Sequence, residues 1–388
     1  FDASNSSDGT GSHMGAPSEI YIVFIAIVLT KNRSNTTIDI KNFLMVSFAY
    51  NKKEKGRLPT VERPYLKGET MTKISKMAGA VVCAFALLSS SGATLANSVP
   101  ESDDAIKVIL NDWTGQHFST YVAGEMLQKM GYNVEYVSAG ALPQHAGLSQ
   151  GNLHFQTEVW SNNVGDIYPK AVESGEIVVL GSLGLEPKEG WIYPPYMEEK
   201  CPGLPSYKAL YDCAQAFAGA ETFPKGRLIT YPADWGTRSR DVVEAIDLPF
   251  TAIAGGSEGA MVAELTSALA SEDPMLMMMW QPHWIFAAHD FNWVEWAQAE
   301  GECSEETQQR DTACGFAQAT VNKVAWSGFE EKWPAAFAML SAMTLTNADE
   351  NSAILAVDSD GRDVSEVATE WLANNEAIWQ GWIDAATQ

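Results

Sequence analysis

Short apolar segments alternate with helical ones from residue 105 onward, and this alternation limits the fold more than any other feature of the chain. Residues 105–110, 132–137, 154–160 and 177–180 read as strands, with helical stretches at 119–130 and 167–173. A second set follows, with strands at 227–231, 250–254 and 274–280 and helices at 236–246 and 258–270. Period-two alternation or a short apolar run marks a strand, and 3.6-residue spacing marks a helix. The order predicts α/β sheets covered by helices. Between the two sets lies Trp191-Ile192-Tyr193-Pro194-Pro195-Tyr196, whose prolines interrupt regular structure and suggest a crossing between lobes. The expected division gives residues 97–185 and 290–388 to one lobe and 186–289 to the other. Trp371, Ile378 and Trp382 fall at helix-compatible intervals and are expected in the core.

The first 96 residues stand apart. Residues 71–96 have the order of a secretory signal: Met71 with Lys73 and Lys76, an apolar run over 77–88, and the small-residue ending Thr94-Leu95-Ala96. Cleavage is expected after Ala96, which predicts a periplasmic protein. Residues 1–70 carry no clear pattern, include the scar-like Gly11-Ser12-His13-Met14, and are set aside as added or upstream sequence. Their apolar run at 20–29 is shorter than the ~20 residues a membrane-crossing helix needs.

Beyond residue 96 the chain has 14 Lys and Arg against 42 Asp and Glu, a formal charge of −28. Such a field repels nucleic acid and anionic membranes, and favours cations or zwitterions presenting a cationic end. Four cysteines lie in this part: Cys201, Cys213, Cys303 and Cys314. An even number in an exported chain predicts two disulfides, and sequence proximity favours Cys201 with Cys213 and Cys303 with Cys314. Neither pair has zinc-finger spacing or a histidine pair beside it, so no metal is expected.

All thirteen tryptophans also lie beyond residue 96. Trp113, Trp160, Trp235 and Trp280 sit where a strand gives way to a turn, the edge at which open α/β sheets bind ligands. Ordinary lobe packing is the competing explanation, since tryptophan is usually well buried. An aromatic cage suits a quaternary ammonium, which has no N–H to donate but is attracted to the negative face of an indole. At ~1–2 kcal/mol per desolvated face, three or four walls supply ~3–8 kcal/mol before ordering costs. Micromolar capture needs about 8 kcal/mol. A polar contribution is therefore expected, and Glu158, which shares a strand face with Trp160, is the candidate; Asp112 and Asp234 are weaker ones.

At these residues the chain resembles the glycine betaine, choline and trimethylamine N-oxide binding proteins of ABC importers, the OpuAC-like family, over residues 105–385. The resemblance rests on Asn111-Asp112-Trp113, Val159-Trp160, Gly190-Trp191 through Tyr196, Gly256-Ser257-Glu258-Gly259-Ala260-Met261 and Trp280-Gln281-Pro282-His283-Trp284, in that order. It implies a two-lobed periplasmic-binding-protein fold of type II that closes on a ligand in the cleft between its lobes. By position, Trp160, Trp235 and Trp280 match box residues best, and Trp113 and Trp191 resemble further aromatic walls. The choline branch carries a carboxylate shortly after its first box tryptophan, where this chain has Thr114-Gly115, and choline fits less well for that reason.

The implied role is capture of a small methylated-ammonium solute, trimethylamine N-oxide or glycine betaine before choline or dimethylsulfoniopropionate. A permease and ATPase would receive it from a monomeric binding protein that needs no cofactor. Other motifs point elsewhere only weakly. Asp358-Ser359-Asp360-Gly361 opens like a calcium loop, but Arg362 and Thr369 occupy later ligand positions, and a turn feeding a helix near Val364 is the better reading. Gly255-Gly256 before Ser257 reads as a strand-to-helix turn with a capping serine. His283 and His289 have no metal-ligand company in sequence, and no nucleophile and base are grouped. An exported enzyme acting on such a solute, or a sensor using the same fold, are the alternatives.

Overall fold

A strand buried on both faces belongs inside a sheet, and β3 (Phe155–Trp160), buried at all six positions, is the middle strand of the first of two sheets. The computed structural model describes residues 99–162, 164–296, 303 and 312–386, all within a unit that spans Ser89–Gln388. The signal read at 71–96 and the segment 1–70 lie outside the described residues.

The first sheet also contains β1 (Ile106–Leu110), β2 (Val134–Ser138), β4 (Ile177–Ser182) and β11 (Val321–Trp326), in the order β2-β1-β3-β11-β4. β1 runs parallel to β2 and β3, while β11 is antiparallel to both β3 and β4. The second sheet contains β5 (Lys188–Tyr193), β7 (Gly226–Thr230), β8 (Phe250–Ala254), β9 (Met277–Gln281) and β10 (Asn292–Trp293), in the order β10-β5-β9-β7-β8. The short β6 (Pro202–Pro205) belongs to neither. Each sheet is the centre of one lobe. Helices Thr114–Lys129, Asn347–Ile354, Val364–Asn374 and Glu376–Ala386 belong to the first lobe and Glu258–Ser271 to the second.

Three expectations shift. The chain does not return to the first lobe at 290, because Asn292 and Trp293 pair with Tyr193 and Ile192 of the second sheet. The return falls between Trp293 and Val321. The first helix begins at Thr114 rather than 119, directly after Trp113, whose extended backbone provides no side-chain cap. Its first amide, that of Thr114, donates instead to Glu258 Oε2 at 2.8 Å. In the C-terminal part Trp371 stacks on Trp382 at 6.0 Å, but Ile378 is exposed, because the helix stops at Asn374 and restarts at Glu376. That break shifts the phase of the apolar stripe.

Both predicted disulfides form, Cys201–Cys213 and Cys303–Cys314. The first ties the residue just before β6 to the end of the helix Ala209–Cys213 across a separation of 12 residues. Loop-closure entropy gives a bond of this span about 3 kcal/mol. The double variant Cys201→Ser, Cys213→Ser is expected to lower the unfolding free energy by that amount, read as a lower denaturant midpoint with a somewhat steeper slope, because the freed unfolded chain exposes more surface.

Candidate functional site

Parallel strands deliver their C-terminal ends to one edge of a sheet, and here both sheets deliver tryptophans to the same place. β1 leads into Trp113 and β3 ends on Trp160; β9 carries Trp280 next to its end, and the turn after β7 carries Tyr231 and Trp235. Because β5 is antiparallel to β9, its beginning lies there too, with Glu189 opposite Trp280. A cavity of about 430 Å³, counted to its open mouth, is lined by Trp113, Glu158, Trp160, Glu189, Tyr231, Trp235 and Trp280, with Ala141, Gln144, Val159 and Val164. The aromatic walls are between 4% and 9% exposed. Their rings meet edge-on or tilted: Trp113 with Trp235 at 5.1 Å, Tyr231 with Trp235 at 5.6 Å, and Trp280 with Tyr231 and Trp235 at 5.5 and 5.6 Å. The Trp113–Trp235 contact joins one lobe to the other.

Each lobe braces its walls with a buried carboxylate. Glu158 Oε2 accepts the Nε1–H of Trp113 at 2.9 Å and of Trp160 at 3.2 Å, and its Oε1 accepts the Ser119 hydroxyl at 2.7 Å. In the second lobe Tyr231 Oη donates to Glu189 Oε1 at 2.8 Å. Burial pushes the Glu158 carboxyl above its ordinary range against the opposing pull of its donors, Trp113, Ser119, Glu350 and Trp160. Glu350 is fully buried behind it and is pushed up further, by burial first and then by the charge of Glu158. Two carboxyls so close do not both ionise, so the pair holds a proton.

A buried polar network holds the floor beneath Glu158. Gln116 Nε2 donates to Ile109 O at 2.8 Å and to Gln156 Oε1 at 2.7 Å. Gln156 Nε2 donates to Asn111 Oδ1 at 2.7 Å, and Asn111 Nδ2 to Gln144 Oε1 at 3.1 Å. A fully satisfied network of this kind fixes the orientation of what it carries.

Of the residues read from the sequence, Trp113, Trp160, Trp235, Trp280 and Glu158 come together at the cavity, and Trp191 does not. Trp191 shares a strand face with Glu189 but lies two residues deeper, opposite Met278, where its Nε1 donates to Ser239 Oγ at 2.9 Å and its ring packs on Trp296 at 4.8 Å. It is core of the second lobe. Sequence reasoning missed Glu189 and Tyr231. The strand-end position of each was the available signal. His283 also has more company than its sequence context gave it: Glu258, His283 and Asp358 present atoms within 4.8 Å of one another. His283 Nδ1 accepts the Ile285 N–H at 3.2 Å, while its Nε2 lies 3.2 Å from Glu258 Oε1 without a hydrogen bond, so that both of these buried atoms are left without a hydrogen-bond partner. Ser257 caps its helix by accepting the Ala260 N–H at 3.2 Å.

The family model described as the substrate binding domain of ABC-type glycine betaine transport systems, OpuAC, matches residues 104–374. A trimethylamine N-oxide-binding protein of Pelagibacter ubique is 27% identical over 290 residues, covering 73% of this chain and 92% of that one. A glycine betaine/proline betaine-binding periplasmic protein of Salmonella typhimurium is 23% identical over 320 residues, covering 78% of this chain and 96% of that one. Among solved structures, lactococcal OpuAC in its closed form with glycine betaine matches with a TM-score of 0.58 at 18% identity, over 72% of this chain and 100% of that one. A choline-binding protein in complex with choline matches with a TM-score of 0.60 at 16% identity, over 74% and 100%. These likenesses establish the fold, a two-lobed α/β architecture with a cleft between the lobes.

Proposed function

The chain belongs to the OpuAC family of substrate-binding domains of ABC-type transport systems, and from that premise we propose that it captures a methylated-ammonium solute, with trimethylamine N-oxide first, in the aromatic cavity. The observation that carries this reading is the ring of four indoles and one phenol around a single cavity, braced by Glu158 and Glu189. Five faces at about 2 kcal/mol each, reduced by ordering costs, reach the ~8 kcal/mol of micromolar binding. The two carboxylates add attraction for the onium charge.

The lining favours a small polar tail. It contains two carboxylates and no Lys or Arg to receive the carboxylate of glycine betaine. The single oxygen of trimethylamine N-oxide needs only one donor, and the Gln144 amide is at hand. Relatives are named as binding proteins rather than enzymes, which supports capture without turnover. The reading includes an extracytoplasmic location and delivery to a membrane permease and its ATPase; among the described residues no helix is long and apolar enough to cross a membrane.

Titration calorimetry of the purified protein against trimethylamine N-oxide, glycine betaine, choline and dimethylsulfoniopropionate tests both levels. Micromolar affinity for the N-oxide, at least tenfold tighter than for glycine betaine, is the expected result. Tighter binding of glycine betaine would reverse the ranking, and no heat from any of the four would remove the onium class altogether.

A further inference from the structure

Beside the aromatic cavity, side chains from both lobes that can ligate a metal converge. Glu258 opens the helix Glu258–Ser271 of the second lobe, and His283 follows β9 in the same lobe. Asp358 stands on the π-helical turn Leu355–Ser359 of the first lobe. Such turns are rare and recur at functional sites. One carboxylate oxygen of each acid and one ring nitrogen of His283 all lie within 4.8 Å of one another.

The surroundings hold these side chains in place without using all their atoms. Glu258 Oε2 accepts the Thr114 N–H at 2.8 Å, and Asp358 Oδ1 accepts the Thr114 hydroxyl at 2.6 Å. The His283 ring stands edge-on to the cavity wall Trp280 at 5.1 Å and stacks with Trp284 at 6.0 Å. Glu258 Oε1 and His283 Nε2 remain, buried, 3.2 Å apart and without a hydrogen-bond partner. Glu258 is 4% exposed and His283 2%. Buried polar atoms are nearly always paired, so two adjacent orphans call for a partner of another kind. Glu258, Thr114, His283 and Trp284 face Asp358, and no Lys or Arg is among them.

Two atoms bound to one ion at ~2.1 Å, in tetrahedral or octahedral geometry, sit roughly 3.0–3.4 Å apart. The 3.2 Å between Glu258 Oε1 and His283 Nε2 has that spacing. Contacts like those of Thr114, made to the ligands from outside, orient them for an ion. The exposed flank of Asp358 gives an entering ion its path, and gives the aspartate room to close on it.

We propose that Glu258, His283 and Asp358 bind a divalent transition-metal ion, which clasps the second lobe to the first beside the solute. One imidazole nitrogen with two carboxylates suits zinc better than calcium or magnesium, which take oxygen ligands. The two carboxylates balance the charge of the ion. Coordination uses the Nε2 lone pair, so the neutral ring carries its proton on Nδ1 and gives up its contact with the Ile285 N–H at 3.2 Å. Thr114 adjoins Trp113, and His283 packs on Trp280, so the clasp braces two walls of the cavity. This link to capture rests on the reading that the cavity holds a methylated-ammonium solute; the ion site itself does not.

The test is calorimetric titration of the metal-stripped full chain with zinc chloride, first alone and then with saturating trimethylamine N-oxide. A single zinc with micromolar or tighter Kd is expected, at least a hundredfold tighter than calcium. The N-oxide tightens it about tenfold further, and by linkage saturating zinc tightens the N-oxide by the same factor. Asp358→Asn, at an exposed position, and His283→Gln each weaken zinc at least tenfold. Cobalt(II) in place of zinc gives visible absorption bands that Asp358→Asn alters, which keeps the site testable should His283→Gln fold poorly. No zinc heat, the result of a plain ion pair between Glu258 and a protonated His283, overturns the site. Zinc binding that both variants leave intact, or that calcium outcompetes, does so too. Equal N-oxide affinity with and without zinc overturns the clasp. Zinc binding with silence from every onium solute upholds the site and overturns solute capture instead.

Discussion

Replacing Trp280 with alanine is expected to weaken trimethylamine N-oxide binding about a hundredfold. Trp280 is the wall most shielded from solvent and touches both Tyr231 and Trp235, so its loss removes one desolvated indole face and the support of two others. A face of this kind contributes about 2 kcal/mol, and lost burial of the methyl groups brings the total to about 2.7 kcal/mol, or two decades in Kd. Trp280→Phe keeps a weaker π face and loses about tenfold, so the series Trp, Phe, Ala separates ring electrostatics from area. Trp160→Ala is expected to behave as Trp280→Ala does. Trp191→Phe is the control: it opens a gap in the second lobe's core and lowers the melting temperature, but leaves Kd unchanged. Wild-type affinity in both cage variants, measured by calorimetry on protein shown to unfold cooperatively, would refute the assigned walls.

Glu158→Ala is expected to cost at least as much affinity, together with stability, because it acts on two walls at once. The substitution leaves the indole N–H groups of Trp113 and Trp160 without their shared acceptor in a buried site, at about 1–3 kcal/mol each. Glu158→Gln retains one acceptor oxygen and loses the charge, so about tenfold weaker binding with near-native stability is the expected contrast. The proton shared with Glu350 adds a pH signature. A carboxyl raised in the folded state keeps its proton after the unfolded chain has lost its own, so stability falls as pH rises above the ordinary glutamate value of 4.5. Glu350→Gln reduces that slope in thermal melts between pH 5 and 8, with the remainder carried by other raised carboxyls such as Asp112 and Asp358. A slope unchanged by the substitution would place the shared proton elsewhere.

The alternation of strands and helices was enough to read both sheets, because each strand carries its own period and is short. What it could not give was which lobe a two-residue strand joins. Asn292 and Trp293 have no pattern to speak of, and only their pairing with β5 puts them in the second sheet. The cavity was legible to the extent that its walls stand at strand ends. Glu158 was found because period two places it beside Trp160; Trp191 was misplaced because period two fixes a face but not a depth, and Glu189 on that same face is the one that reaches the cavity. The hydrogen bond from the Thr114 N–H to Glu258 was not legible at all, since the two residues lie 144 positions apart and meet only through the packing of two lobes.

The place of β11 between β3 and β4 bears on the order in which the chain becomes whole as it is made. All strands of the second sheet lie within residues 188–293. The first sheet waits for residues 321–326, and until they emerge β3 and β4 each expose a row of unpaired backbone groups on the side that β11 will fill. A chain emerging from its N-terminus therefore completes the lobe it enters second before the lobe it enters first. The aromatic cavity, which draws on both, is assembled last.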